Sequence, residues 1–294
     1  MKKRSLIIFI LAIMLLLLGL SIYMGKNKEY NKEDNDNVIV SSNKDETIEE
    51  VPEKFLPPKE EVKEEVKEEV KEQPKETPQL PKENKDYVIV IDPGHGGGSN
   101  LEKEPIAPGS SEMKIKDGGG AEGISTKTPE YKINMRVALA LKDRLQQLGY
   151  KVIMTKEEEN LSLGNVDRAN IANDAKADLA IRLHCDSSDS GSARGASMLV
   201  PKGTNENTKA IAKQSENYGK AILNNYCNYV GVNNRGLIYS GDMTGFNWSK
   251  VPVVLIEMGF LSNKDEDNFL SSKEFPQKAA EGISLGIGEI FSRR

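Results

Sequence analysis

VIVIDPGHGGG, residues 88–98, is an apolar run of Val and Ile that stops at Asp92 and hands the chain into a glycine-rich turn carrying His95. Two further stretches are built alike. LAIRLHCDSS, residues 179–188, ends in His184, and VPVVLIEMGF, residues 251–260, carries Glu257. Short apolar runs of this kind read as strands buried on both faces of a sheet, and groups at the carboxyl ends of such strands gather along one rim. His95 and His184 are the only histidines in 294 residues. Used so sparingly, and both at strand ends, they read as paired zinc ligands, with Glu257 as a third residue of the same rim.

Working outward, strand-like runs fall at 87–92, 151–155, 178–186, 195–201, 236–240 and 251–258, with helical patterns between them. The clearest helix opens at Thr128-Pro129-Glu130, with Thr128 as N-cap and Pro129 at the first helical position. Ile133, Val137, Leu141, Leu145 and Leu148 continue it, and Gly149 ends it. Other helices are expected near 164–176, 206–228 and 276–291. Strands alternating with helices predict an α/β fold, one domain over 87–294 with its sheet covered on both faces.

Residues 5–24, SLIIFILAIMLLLLGLSIYM, form an uncharged apolar run of the length a membrane-spanning helix needs, preceded by MKKR. Positive charge on the short N-terminal side favours an N-inside anchor over residues 1–25, with everything after it outside the cytoplasmic membrane. Cleavage and secretion are the competing reading, but the apolar run exceeds a usual signal-peptide core and no A-x-A site follows. Residues 26–86 hold 12 Lys against 19 Asp or Glu. Their net charge of −7, set against −5 for the whole chain and +3 before the apolar run, leaves about −1 for the remainder. Acidity is therefore a property of this stretch. The repeat EEVKEEVKEEVKE offers only Val62, Val66 and Val70 as apolar surface, so 26–86 reads as a disordered, charged spacer with a reach on the order of 45 Å. No basic stripe with interleaved aromatics follows, which leaves no footprint for nucleic acid. The turn after Asp92 lacks the GK[ST] of a phosphate loop.

An ordered set of motifs gives the C-terminal 208 residues a family likeness: DPGHGG (92–97), Glu130 followed by Asn134, LHCDS (183–187), NRG (234–236) and PVVLIEMGFLSN (252–263). Together they resemble the zinc-dependent N-acetylmuramoyl-L-alanine amidases of the amidase 3 family, the AmiC or CwlV type. The resemblance implies hydrolysis of the amide joining the lactyl group of N-acetylmuramic acid to L-alanine of peptidoglycan. It also implies a mixed, roughly six-stranded sheet flanked by helices. By the same likeness His95, Glu130 and His184 are the ligands of one Zn²⁺, and Glu257 is the catalytic glutamate. The chemistry agrees, since three protein ligands leave a position for water and an adjacent carboxylate can move its proton.

Several features depart from the family pattern or stay open. The segment 99–129 is longer than in compact members, reads as a loop because of Gly118–Gly120, and holds Glu102, Glu104, Glu112, Asp117 and Glu122 as rival ligands. Asp186 stands where the family's His-x-Asn pattern has Asn. Cys185 should face away from His184 into the core, and both it and Cys227 read as thiols. Arg235 suits a stem-peptide carboxylate or a scaffold ion pair, and Trp248 a sugar face or a packing contact. A zinc peptidase acting on wall peptides, or a silent membrane-tethered wall-binding protein, are the rival functions. If the boundary at residue 86 is right, residues 87–294 fold alone and hydrolyse soluble muropeptides, and limited proteolysis of the full chain cuts between about 30 and 85. Protection of that whole stretch would move the boundary.

Overall fold

The computed structural model describes residues 86–292. Both the expected anchor at 5–24 and the spacer up to residue 85 lie outside the described residues. Among the described residues, no helix is long and apolar enough to cross a membrane.

Eight strands occur among the described residues: β1 (Val88–Pro93), β2 (Asn100–Pro105), β3 (Met113–Asp117), β4 (Lys151–Met154), β5 (Leu179–Asp186), β6 (Ala196–Pro201), β7 (Asn234–Ser240) and β8 (Val253–Phe260). The helices are α1 (Glu130–Gln147), α2 (Asn165–Asp174), α3 (Lys209–Val230), α4 (Thr244–Asn247), α5 (Lys264–Leu270) and α6 (Phe275–Ser292). Six strands make one sheet in the order β4-β1-β5-β8-β6-β7, while β2 and β3 pair separately as an antiparallel hairpin. Within the large sheet β4, β1, β5 and β8 run parallel, and β6 turns antiparallel to β8. This is the mixed six-stranded sheet the family likeness implied.

Alternation along the strands sorts their side chains between two cores. Ile89, Ile91, Ile181, Leu183, Cys185, Ile256 and Met258 join the larger core, against apolar residues of α1, α3 and α6. Val90, Ala180, Val253 and Leu255 join the smaller one with Ala172 of α2 and Phe246 of α4. Period two then puts Asp92, Arg182, His184 and Glu257 on the second face, toward the carboxyl ends of β1, β5 and β8. Cys185, as expected, lies on the opposite side, in the larger core. It and Cys227 are free thiols.

Two local expectations need correction. Helix α1 begins at Glu130 with an extended Pro129 as its N-cap and no side-chain capping bond, one residue later than the Thr-Pro reading. The reason is tertiary: Pro129 pairs with Glu122, and the Thr128 carbonyl accepts from Gly123 N–H, so both stay in the approach to the helix. The segment 99–129 is also not an irregular loop, because the β2–β3 hairpin fills much of it.

Beneath the rim sits a buried ionic cluster. Asp92 receives Arg168 Nη1 at 2.6 Å on Oδ1 and Arg182 Nε at 2.8 Å on Oδ2, and Thr155 Oγ1 donates to it at 2.6 Å. Arg168 also donates to the carbonyls of Pro93 and His95, and Arg182 to Asn165 Oδ1. One carboxylate thus ties β1, α2, β5 and the end of β4 together. Burial alone would raise its pKa, but the charges of Arg168 and then Arg182 prevail and hold it far below the ordinary carboxylate value. A depressed folded pKa means stability present above about pH 4 and lost as pH falls through the carboxylate range. Asp92→Asn strands two buried guanidinium groups, so urea denaturation should show a loss of about 3–5 kcal/mol near neutral pH. An unchanged midpoint would show that the cluster does not support the fold.

Candidate metal centre and active-site cleft

His95 is delivered by the turn after β1 in a left-handed conformation, φ 58°, which a non-glycine residue adopts at a cost. The bond from Arg168 to its carbonyl and the bond from Gly94 N–H to the Leu183 carbonyl hold that turn. Gly94 runs so close under the His184 ring that a Cβ there would collide with the imidazole. His184 comes from the end of β5 and Glu130 from the first turn of α1. The two imidazole rings stand nearly perpendicular, 83° apart, with centroids at 4.8 Å.

Glu130 is the hub of the cluster. Its Oε1 lies 3.1 Å from His184 Nδ1 and 3.4 Å from His95 Nε2. For an ion held tetrahedrally at about 2.0–2.1 Å, neighbouring ligand atoms stand about 3.3 Å apart, so these spacings fit a metal and the three side chains can supply one ligand atom each. The carboxylate is fixed from behind: Asn134 Nδ2 and Cys185 N–H donate to Oε1, both at 3.1 Å, and Ala121 N–H donates to Oε2 at 2.8 Å. Burial would raise Glu130, yet the hydrogen bond and charge of His184, then the charge of His95, bring it down to about 2. Burial pushes the His184 imidazole down to about 4 despite Glu130. At neutral pH Glu130 is therefore a carboxylate and His184 a neutral imidazole, the protonation states a metal requires of such groups.

None of the rival acids in 99–129 joins the three. Glu102, Glu112 and Glu122 are exposed. Glu104 accepts from the backbone N–H groups of Asn165 and Val166 and so satisfies the N-terminus of α2. Asp117, at the end of β3, has a different task. Its Oδ1 lies 2.8 Å from His95 Nδ1, and Gly119 N–H and Ser162 Oγ also donate to it. An ionised carboxylate only accepts, so Nδ1 carries the proton and the Nε2 lone pair faces Glu130. The hydrogen bonds from His95, Gly119 and Ser162 hold the Asp117 carboxyl well below its usual value against burial. The hairpin bearing Asp117 is strapped down by Trp248 Nε1 to the Pro105 carbonyl at 2.9 Å and Asn247 Nδ2 to the Ile106 carbonyl at 3.2 Å. The spacing of Asn134 four residues after Glu130 signalled a shared helical face; nothing local in the sequence signalled that Asp117 would meet His95.

Glu257 stands beside His184 in the parallel β5–β8 register. Its Oε2 is buried without a hydrogen-bond partner among the described residues. Burial, reinforced by the negative charges of Glu130 and Asp186, pushes its carboxyl well above the usual value. Asp186 is raised by burial, with Arg235 opposing. Exposed Arg235 lays its guanidinium over the Phe260 ring at 4.9 Å and donates to the Arg194 carbonyl. Of the expected site residues, His95, Glu130 and His184 converge, Glu257 is paired with His184 across the strands, Arg235 is exposed near the end of β8, and Trp248 donates to the hairpin.

Three side chains that could hold a metal, with a buried carboxyl group paired beside one of them, are a candidate arrangement for a metal-assisted hydrolase. Residues 89–289 match the N-acetylmuramoyl-L-alanine amidase family model. Among similar proteins, the amidase Rv3717 of Mycobacterium tuberculosis is 26% identical over 68% of this chain and 84% of its own length. The probable cell wall amidase LytH of Staphylococcus saprophyticus is 28% identical, and the match spans 72% of this chain but only 60% of LytH. The catalytic domain of CwlV, an N-acetylmuramoyl-L-alanine amidase from Bacillus (Paenibacillus) polymyxa, superposes with a TM-score of 0.56 at 27% identity, covering 71% of this chain and 99% of that one. Ami1 of Mycobacterium smegmatis shares the fold with a TM-score of 0.64 at 23% identity, over 71% of this chain and 98% of its own. This chain belongs to the N-acetylmuramoyl-L-alanine amidase family, whose members hydrolyse the amide between N-acetylmuramic acid and L-alanine of peptidoglycan.

Removal of the Asp117 carboxylate frees the His95 ring to rotate and change tautomer. Asp117→Ala should lower metal affinity about 10- to 100-fold in competition with a chromogenic chelator. Unchanged affinity would reduce the His95–Asp117 contact to packing.

Proposed function

We propose that residues 87–294 form a zinc-dependent peptidoglycan amidase in which His95, Glu130 and His184 hold one zinc ion and Glu257 moves the proton. The convergence of those three ligand atoms beside Glu257 carries the reading. When bound, zinc lowers the pKa of a coordinated water and polarises the scissile carbonyl. The rest is the work of this chain's own side chains. Glu257 accepts a proton from the attacking water and passes it to the alanine nitrogen as the amide C–N bond breaks. Its burial suits that cycle, because a raised pKa makes the carboxylate a stronger proton acceptor than an exposed one. Asp117 keeps the His95 tautomer, while Asn134 and the Cys185 N–H keep the Glu130 carboxylate from rotating. Arg235, at the rim and outside the ligand group, is suited to a stem-peptide carboxylate.

The apolar run at 5–24 after MKKR supports an extracytoplasmic enzyme tethered to the cytoplasmic membrane, and the charged segment 26–86 supports a spacer reaching toward the wall. Glu257→Gln keeps size and loses the proton-accepting charge. Bound zinc should stay stoichiometric while turnover of a soluble muropeptide falls about 10²- to 10⁴-fold. A fully loaded variant with near-normal turnover would retire Glu257 as the base.

A further inference from the structure

The strand register sets a third residue in line with His184 and Glu257. On β8, Glu257 is paired with His184 of β5 on one side and with Ser197 of β6 on the other. Ala196, Met198 and Val200 belong to the larger core, so alternation turns Ser197 to the face that carries Glu257. Ser197 is only 1% exposed, and its Oγ has no hydrogen-bond partner among the described residues. The Glu257 Oε2 atom across the strand pair is in the same condition. A buried hydroxyl without a partner is a net cost that an alanine would remove, so its presence on an otherwise apolar stretch calls for a polar partner. Antiparallel partners hold their Cβ atoms about 4.5–5.5 Å apart, which puts a serine hydroxyl within one side-chain rotation of a carboxylate opposite.

We propose that Ser197 is a positioning residue for Glu257: during turnover its hydroxyl donates to the Glu257 carboxylate and holds that group toward the His95, Glu130 and His184 cluster. The serine touches neither metal nor substrate and acts through the glutamate. Glu257 is thereby held from the strand on the side away from His184. The inference rests on the reading of Glu257 as general base and acid.

Ser197→Ala in the full-length protein separates this role from packing. Loss of an unpartnered buried hydroxyl should leave the melting temperature and bound zinc unchanged or improved. With a soluble N-acetylmuramoyl-L-alanyl peptide as substrate, kcat should fall about tenfold, the worth of a hydrogen bond to a charged group, while KM stays constant. Against a Glu257→Gln background the same change should add almost nothing, since the group it positions is already disabled. An undiminished kcat, a fall accompanied by lost zinc or stability, or an equal fall in the Glu257→Gln background would each overturn the proposal. Full turnover by Glu257→Gln alone would instead retire the general-base reading, so the two failures are distinguishable.

Discussion

Asp92 and its two arginines are the constraint on which the rest of the structure hangs. A carboxylate flanked by Arg168 and Arg182 below the sheet rim fixes the end of β1 against β5 and α2. Breaking such a buried cluster by removing one member is far more costly than its net contribution to folding, so its value lies in specifying one arrangement. That arrangement is the one the chemistry requires. Arg168 reaches past Asp92 to the carbonyls of Pro93 and His95, and so braces the one turn where a histidine is forced to positive φ.

From this base the ligand cluster is assembled by elements far apart in the chain. Glu130 arrives on α1, His184 on β5 and His95 on the turn after β1; Asn134 fixes Glu130, Asp117 fixes His95, and His184 packs over Gly94 and meets Glu130. Gly94 and Gly120 let the pieces close up. A side chain at Gly120, which sits at φ 73°, would press on both His95 and Glu130. Close packing around these side chains limits their rotation.

The β2–β3 hairpin brings the segment 99–129 against His95. Glu104 ties it to the start of α2, Trp248 and Asn247 tie it to the opposite wall, and Asp117 touches His95. These bonds make it a wall of the cleft. Together with Arg182 and His184, residues of β3 line a cavity of about 130 Å³ beside the ligands. On the far side of the row, Glu257 is left with an unpaired oxygen, the kind of local cost that proteins retain where chemistry uses it.

Much of this was legible in the sequence because it is written locally. Runs of Val, Ile and Leu ending in His or Glu specify buried strands and what they carry to the rim, since period-two alternation and strand ends need no distant information. The spacing of α1 likewise located Glu130 on an inward face with Ile133 and Val137. Only the tertiary structure decided that β6 runs antiparallel to β8 and sets Ser197 opposite Glu257, because register between distant strands depends on how both cores pack. It also decided that Pro129 caps α1 in place of Thr128, that Asp92 pairs with two arginines, and that Asp117 orients His95 while Glu104 caps α2. The five acidic residues of the segment 99–129 look alike in the sequence. What separates them is which one burial and a neighbouring imidazole select, and that neighbour lies 22 residues away in sequence and 2.8 Å away in space.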